Sequence, residues 1–250
     1  MIPSQDKRLS DSARDVYDRW HDRLDVDAES SSPWHLMIKS RIDPVRDIES
    51  KRILEIGCGR GGFSFWLATR NPPPVQVVGA DFSTTAVNKA RQFAEDRSVS
   101  NVSWNVADIQ ALDQFGDGEF DTVVSCETIE HVPDPPLAVK QLARVLKPGG
   151  RLFLTTPNYF STTGVYRAYC WVRGKKYDEC GQPICQLTML HKTRRWVRRA
   201  GLRIVESDSR GQYIPFPRRP PLEARFLEHP RFLMRWFGLH SFVLAEQPVR

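Results

Sequence analysis

Residues Ile53 to Gly61 read Ile-Leu-Glu-Ile-Gly-Cys-Gly-Arg-Gly: an apolar run, one carboxylate, then glycines at alternate positions. Such a turn lets the backbone come close to a bound cofactor, because nothing beyond Cα stands in the way. Dinucleotide enzymes use similar turns, so the acid decides between readings. Glu55 stands two residues before the first glycine, at the end of the apolar run, where a carboxylate can meet the ammonium of an amino-acid group. A pyrophosphate would be repelled there. Two further apolar runs end in acids, Val75 to Asp81 and Val102 to Asp108. Asp81 falls about twenty residues past the glycines, where an acid can accept both hydroxyls of a ribose.

A second constellation follows the next apolar run. Glu127, Glu130 and His131 form a Glu-Xaa-Xaa-Glu-His cluster. On a helical turn these positions share one face. Two carboxylates and an imidazole converging there could hold a divalent ion or supply a general base. Alternatively, the acids favour a helix N-terminus and the histidine simply hydrogen-bonds. The pattern leaves both readings open.

The elements that must position these residues are legible from periodicity. Residues 1–50 read as an N-terminal helical cap. After Ser10 and Asp11, the residues Ala13, Val16, Tyr17, Trp20 and Leu24 recur at helical spacing, and a second helix begins near Pro33 and ends before Pro44. Residues 51–250 read as one domain. Strands are expected at 52–57, 75–81, 101–108, 119–125, 151–156 and 241–245, and helices at 62–70, 84–96 and 135–146. Alternation of this kind implies a doubly wound, mostly parallel sheet of the α/β class, with the strand ends gathered at one ligand-binding edge. Two segments, 157–190 and 208–236, are longer than connections need to be. They follow core strands and are expected to build the substrate side.

Bulk properties set the outer limits. A chain of 250 residues, 40% hydrophobic and 26% charged, can bury a full α/β core. It has neither a long apolar run nor a signal-like N-terminus, so a cytoplasmic location is expected. Cys58, Cys126, Cys170, Cys180 and Cys185 fit no common zinc spacing and read as reduced thiols. The net charge of +6 is uneven: residues 191–235 carry twelve Lys/Arg against four Asp/Glu. Arg194, Arg195, Arg198 and Arg199 around Trp196 and Val197 read as the solvated face of a short helix ending at Gly201. An anionic substrate or membrane surface is the alternative. Nucleic acid ranks last, for no aromatic–glycine RNA-binding run accompanies the charge.

Glu55-Ile-Gly57-Cys58-Gly59-Arg-Gly61, with Asp81 and Asp108 downstream, resembles the first motifs of the class I S-adenosylmethionine (SAM) methyltransferases. Ser125 to Pro135, the Leu146-Lys-Pro-Gly-Gly150 turn and Arg41 to Arg46 are together similar to the O-methyltransferases of ubiquinone biosynthesis, over about residues 10–157. The resemblance implies a seven-stranded Rossmann-like fold and SAM as cofactor. It implies cofactor contacts at Arg41, Glu55, Gly57, Cys58, Gly59, Gly61, Asp81, Phe82, Asp108, Ile109 and Cys126, with Asp108 on the adenine amino group. It also associates Glu127, Glu130 and His131 with a divalent metal, magnesium or zinc. The family's Gly-Thr-His before the late helix stands here as Gly181-Gln182-Pro183. Thr156-Pro157-Asn158-Tyr159 is a variant common in enzymes acting on sugars and secondary metabolites.

The expected activity is therefore methyl transfer to a hydroxyl of a small molecule: a phenol, quinone precursor or secondary metabolite. Glu127, Glu130 and His131 are the candidate catalytic residues, with His131 the first choice as base if no metal is used. Alternatives are a sugar hydroxyl on a nucleotide-sugar, glycolipid or glycosylated product, then RNA 2′-O-methylation or a non-catalytic SAM-binding protein. Residues Tyr159 to Tyr177 read as a lid helix whose aromatics line the substrate pocket. Peripheral contact with a membrane is the alternative.

Overall fold

The computed structural model describes residues 5–23, 29–175, 184–211, 213–216, 219–223 and 236–249, with the backbone alone at 5–13, 213–216 and 219–223. Two N-terminal helices, α1 (Gln5–Arg23) and α2 (Pro33–Lys39), precede a single π-helical turn at Pro44–Ile48. The sheet then begins with β1 (Arg52–Ile56), α3 (Gly62–Ala68), β2 (Gln76–Asp81), α4 (Thr84–Glu95) and β3 (Val102–Val106). It continues through β4 (Phe120–Cys126), α5 (Pro135–Val145) and β5 (Leu146–Pro157). After α6 (Thr162–Val172) and α7 (Leu190–Arg199) come β6 (Arg203–Arg210), a hairpin of β7 (Tyr213–Phe216) and β8 (Arg219–Glu223), and β9 (His240–Glu246).

Seven strands form one sheet in the order β3-β2-β1-β4-β5-β9-β6. The first five in sequence run parallel, and only β9 runs against its neighbours. Being antiparallel, β9 starts where the parallel strands end, with His240 opposite Pro157. The expected α/β class, doubly wound topology and mostly parallel sheet are all present. The seventh strand, β6, was not located from sequence: its alternation is carried largely by Arg, Glu and Ser at a half-buried sheet edge. It runs to Arg210, so the second expected insertion begins inside the sheet. Side chains of residues 212–235 lie outside the described residues, as do Gly181 to Pro183 and Cys180.

Period-two alternation sends each strand's side chains to two separate cores. Leu54, Ile56, Val78, Val123, Leu152 and Leu154 face one layer with Val139, Leu142 and Val197. Ile53, Val77, Val124, Phe153 and Phe242 face the other, under Met37, Ile38, Ile48, Phe63 and Leu67. Within the N-terminal segment, α2 and the π-helical turn are thus part of the second core. Asp47 fastens the turn: both carboxylate oxygens accept from Nη1 of buried Arg151, at 2.8 and 2.7 Å.

Local signals start and stop the helices. Ser83 caps α4 by accepting from Ala86 N, and Asp134 caps α5 by accepting from Leu137 N, with Pro135 at the first position. In α7 the residues Leu190, Thr193 and Val197 are buried while Arg195, Arg198 and Arg199 face solvent. The solvated-face reading of this basic segment matches that arrangement. Among the described residues no helix is long and apolar enough to cross a membrane.

Candidate functional site

The turn after β1 is built by left-handed backbone: Gly57, Gly59 and Gly61 all have positive φ, at 80°, 51° and 80°. At two of them space also demands glycine. A Cβ on Gly57 would run into the side chain of Thr128, and one on Gly61 into the ring of Trp104. Asp81 at the end of β2 ties this turn down. Its Oδ2 accepts from Gly59 N at 2.8 Å and its Oδ1 from Ser83 N at 2.9 Å, so one buried carboxylate sets both the turn and the start of α4. Each oxygen keeps a second lone pair for a further donor.

Glu55 lies on the same face of β1 as Ile53, and Cys126 on the same face of β4 as Val124, which puts both under α2 and α3. Glu55 accepts from the hydroxyl of Ser64 in α3. His35 of α2 comes down onto the same place, its ring stacked on Phe63 at 5.0 Å. Ligand-type atoms of His35, Glu55 and Cys126 lie within 4.8 Å of one another, all buried. Cys58 and Ile109 are buried, Ile109 in the opposite core layer, and Phe82 and Asp108 are half-buried just past the ends of β2 and β3. Asp108 accepts from Gln110 N at 2.8 Å.

Helix α1 closes over this edge, a role that sequence reading did not assign. Asp18 accepts from Ser83 Oγ at 2.5 Å and Thr85 N at 3.0 Å, adding a second cap to α4. Tyr17 meets Phe82 edge-to-face at 6.2 Å, and its hydroxyl donates to the carbonyl of His131 at 3.3 Å. Burial, then the charges of Glu130 and Asp81, push the Tyr17 phenol well above its ordinary pKa. The carbonyl of His21 accepts from both Arg60 and Lys89 at 2.8 Å. Burial lowers the His21 pKa against the pull of Asp81. The visible signal for these contacts was two Trp-His pairs, Trp20-His21 and Trp34-His35, each on a helix that shields a strand end.

The Glu-Xaa-Xaa-Glu-His cluster is divided. Only Ile129–His131 is helical, as one 3₁₀ turn, and Glu127 before it has φ 44°, a strained conformation for a non-glycine residue. Glu127 turns toward β9, where its Oε2 accepts from Nδ1 of His240 at 3.1 Å. Its Oε1 is buried and has no partner. Glu130 and His131 stay together, Nε2 to Oε1 at 3.5 Å, while His131 Nδ1 meets the carbonyl of Ile184 at 2.8 Å. Among the described residues the three expected ligands do not gather round one point; the group that does is His35, Glu55 and Cys126.

Arg41 is also drawn elsewhere. Its Nε donates to Glu206 at 2.7 Å and its Nη2 to Asp208 at 3.3 Å, both on edge strand β6, and Nη1 donates to Met37 O and Ser40 Oγ. In the 157–190 insertion, α6 buries Cys170 but leaves Val165, Tyr166, Tyr169, Trp171 and Val172 exposed, Trp171 to 82%. These aromatics face solvent instead of lining a pocket. Beside the 129–131 turn lies a cavity of about 370 Å³, lined by Pro135, Arg167, Cys185, Gln186, Leu187, Lys192 and Trp196.

A family described as methyltransferase domain matches residues 48–198, which run from just before β1 into α7. The chain belongs to this methyltransferase family. The ubiquinone biosynthesis O-methyltransferase of Xanthomonas oryzae pv. oryzae is 37% identical over 129 residues, covering 50% of this chain and 52% of that protein. The chain thus spans about half the length of the curated relatives it matches. Among solved structures, a putative methyltransferase from Haloferax volcanii, in complex with the Trm112 methyltransferase activator, is 25% identical with a TM-score of 0.67, covering 95% of this chain and 98% of that one. A Thermotoga maritima SAM-dependent methyltransferase, described as a possible histamine N-methyltransferase, shares the fold at 18% identity and TM-score 0.63, over 93% and 99% of the two chains.

Proposed function

We propose that the protein transfers a methyl group from SAM to a hydroxyl of a small molecule: a phenol, quinone precursor or secondary metabolite. One observation carries the reading. Glu55 and Asp81 stand in the last two residues of parallel strands β1 and β2, Asp108 follows two residues after β3, and Asp81 is bonded to the left-handed glycine turn. In this assignment Glu55 takes the donor's ammonium, Asp81 the ribose hydroxyls and Asp108 the adenine amino group. Phe82 and Ile109 flank the base. Gly57, Cys58, Gly59, Gly61 and Cys126 offer close backbone. When bound, the sulfonium supplies an already activated methyl group, so the chain must chiefly align the acceptor and exclude water. Helix α1, with Tyr17 over Phe82, supports the second task.

A hydroxyl acceptor must lose its proton, and His131 is the proposed base. The Ile184 carbonyl accepts from Nδ1–H, which fixes the tautomer and leaves Nε2 with the basic lone pair. Glu130 at 3.5 Å is too distant for a good hydrogen bond, yet close enough to stabilise the imidazolium that proton transfer creates. The side chains of Glu127, Glu130 and His131 do not fit a shared divalent ion, since Glu127 is turned to His240, and no step is assigned to a metal. Calorimetry with SAM and S-adenosylhomocysteine, followed by labelled methyl transfer to a panel of phenols, tests the proposal. Absence of binding to either nucleoside would overturn it.

A second acceptor class, a sugar hydroxyl on a nucleotide-sugar, glycolipid or glycosylated product, is favoured by the cationic Arg167 and Lys192 in the cavity beside the 129–131 turn. Nucleotide-sugars in the same acceptor panel decide between the two. Peripheral contact of a cytoplasmic protein with a membrane is supported by the exposed aromatics of α6 next to Arg173 and Lys175. Co-sedimentation with anionic vesicles tests it.

A further inference from the structure

We propose that His35 holds the α-carboxylate of the donor's amino-acid tail, completing with Glu55 a buried pocket for a zwitterion. This rests on the assignment of SAM above and names a residue for a part of it left without one. The family resemblance points to Arg41 as a cofactor contact. Here every guanidinium nitrogen of Arg41 is already engaged, on Glu206, Asp208, Met37 O and Ser40 Oγ. Recruiting it would break two ion pairs on the β6 edge.

His35 has the opposite character. It is 2% exposed, and its Nδ1 has no hydrogen-bond partner. Its neighbours in the layer are Met37, Ile38 and Phe63, against which a phenylalanine or leucine would pack without any polar atom to satisfy. An imidazole retained there is explained by a polar group that arrives from outside. The direction is set by the strands: Glu55 and Cys126, within 4.8 Å of His35, mark the ends of β1 and β4, where the donor's tail is assigned. Burial first, and Lys39 second, bring the His35 pKa down to about 4, so the ring is neutral near pH 7 and carries one N–H. A neutral N–H suits a carboxylate lying next to Glu55. A permanent cation at this depth would instead pair with Glu55 and compete with the ammonium.

The test compares two ligands that differ in the tail. S-adenosylhomocysteine carries the amino-acid group; 5′-methylthioadenosine lacks it. By calorimetry, His35→Ala is expected to weaken S-adenosylhomocysteine by about ten- to a hundredfold, the usual range for a hydrogen bond to a charged group, and to leave 5′-methylthioadenosine unchanged. His35→Asn, which keeps an N–H donor near the Nδ1 position, is expected to recover part of the loss. If His35→Ala does not fold, His35→Leu, which fills the same apolar layer without a donor, gives the same comparison. Unaltered S-adenosylhomocysteine affinity would overturn the proposal, and so would equal loss of both ligands, which marks a merely structural role. Binding of zinc alone that vanishes in His35→Ala would give the three groups to an ion and overturn it too. A wild-type protein that binds neither nucleoside would overturn the SAM assignment itself.

Discussion

Nδ1 of His240 donates to Oε2 of Glu127 at 3.1 Å, joining residues 113 positions apart at the edge where β4 ends and β9 begins. The bond forms because β9 is antiparallel and so brings its first residue to the ligand-binding edge. Glu127 and His240 therefore act as a pair separate from Glu130 and His131. A double-mutant cycle on Glu127→Gln and His240→Ala should show a coupling of roughly 0.5–3 kcal/mol in denaturant unfolding, while Glu127→Gln and His131→Ala should add within about 0.5 kcal/mol.

Loss of His131 and loss of Asp81 should separate chemistry from binding. His131→Ala is expected to lower kcat by about 10²–10⁴-fold, the range for a general base, with SAM affinity unchanged. Asp81→Ala should weaken SAM by at least about tenfold and also lower Tm, since Gly59 N and Ser83 N lose their acceptor. Steady-state kinetics beside calorimetry reads both. Intact turnover in His131→Ala would refute the base assignment.

Asp47→Ala should cost about 3–5 kcal/mol in unfolding free energy, because it leaves Arg151 buried and unpaired. Replacing both residues by apolar ones of similar volume should cost less. Chemical denaturation of the single and double variants checks the order.

Acid should destabilise the protein through His35. Its folded pKa of about 4 lies below the unfolded value of 6.5, so the unfolded chain binds the extra proton between them. Stability from this group is fully present above about pH 6.5 and is lost as pH falls toward 4, by roughly 3 kcal/mol at most. His35→Phe should flatten that part of the stability–pH curve, measured by urea midpoints across the range.

Trp171→Glu should leave stability within about 0.5 kcal/mol of wild type, since the residue is 82% exposed. If α6 meets lipid, the same change should reduce co-sedimentation with anionic vesicles. Equal sedimentation of both proteins would remove the membrane role.

Much of the frame was legible because its signals are local. The glycine turn, the acids at Glu55, Asp81 and Asp108 and the alternation of strands and helices from Arg52 to Pro157 are each contained within a few residues. Where the contact is long-range, sequence reading went astray or stayed silent. Glu127, Glu130 and His131 look like one helical face in sequence, but a positive φ at Glu127 and a distant histidine divide them. The aromatics of α6 resemble a pocket lining, yet a half-turn's rotation of a helix decides which side meets the core, and here Cys170 does.

What residue order determined by itself was the fold class and the positions of the strand-end carboxylates, since backbone sterics and apolar periodicity act over neighbouring residues. Only the tertiary structure decided the company those groups keep: Arg41 drawn to Glu206 and Asp208, His35 brought beside Glu55 and Cys126, Tyr17 laid over Phe82. These pairings depend on how strands are ordered in the sheet and which helix covers which face, and neither is encoded in the spacing of nearby residues.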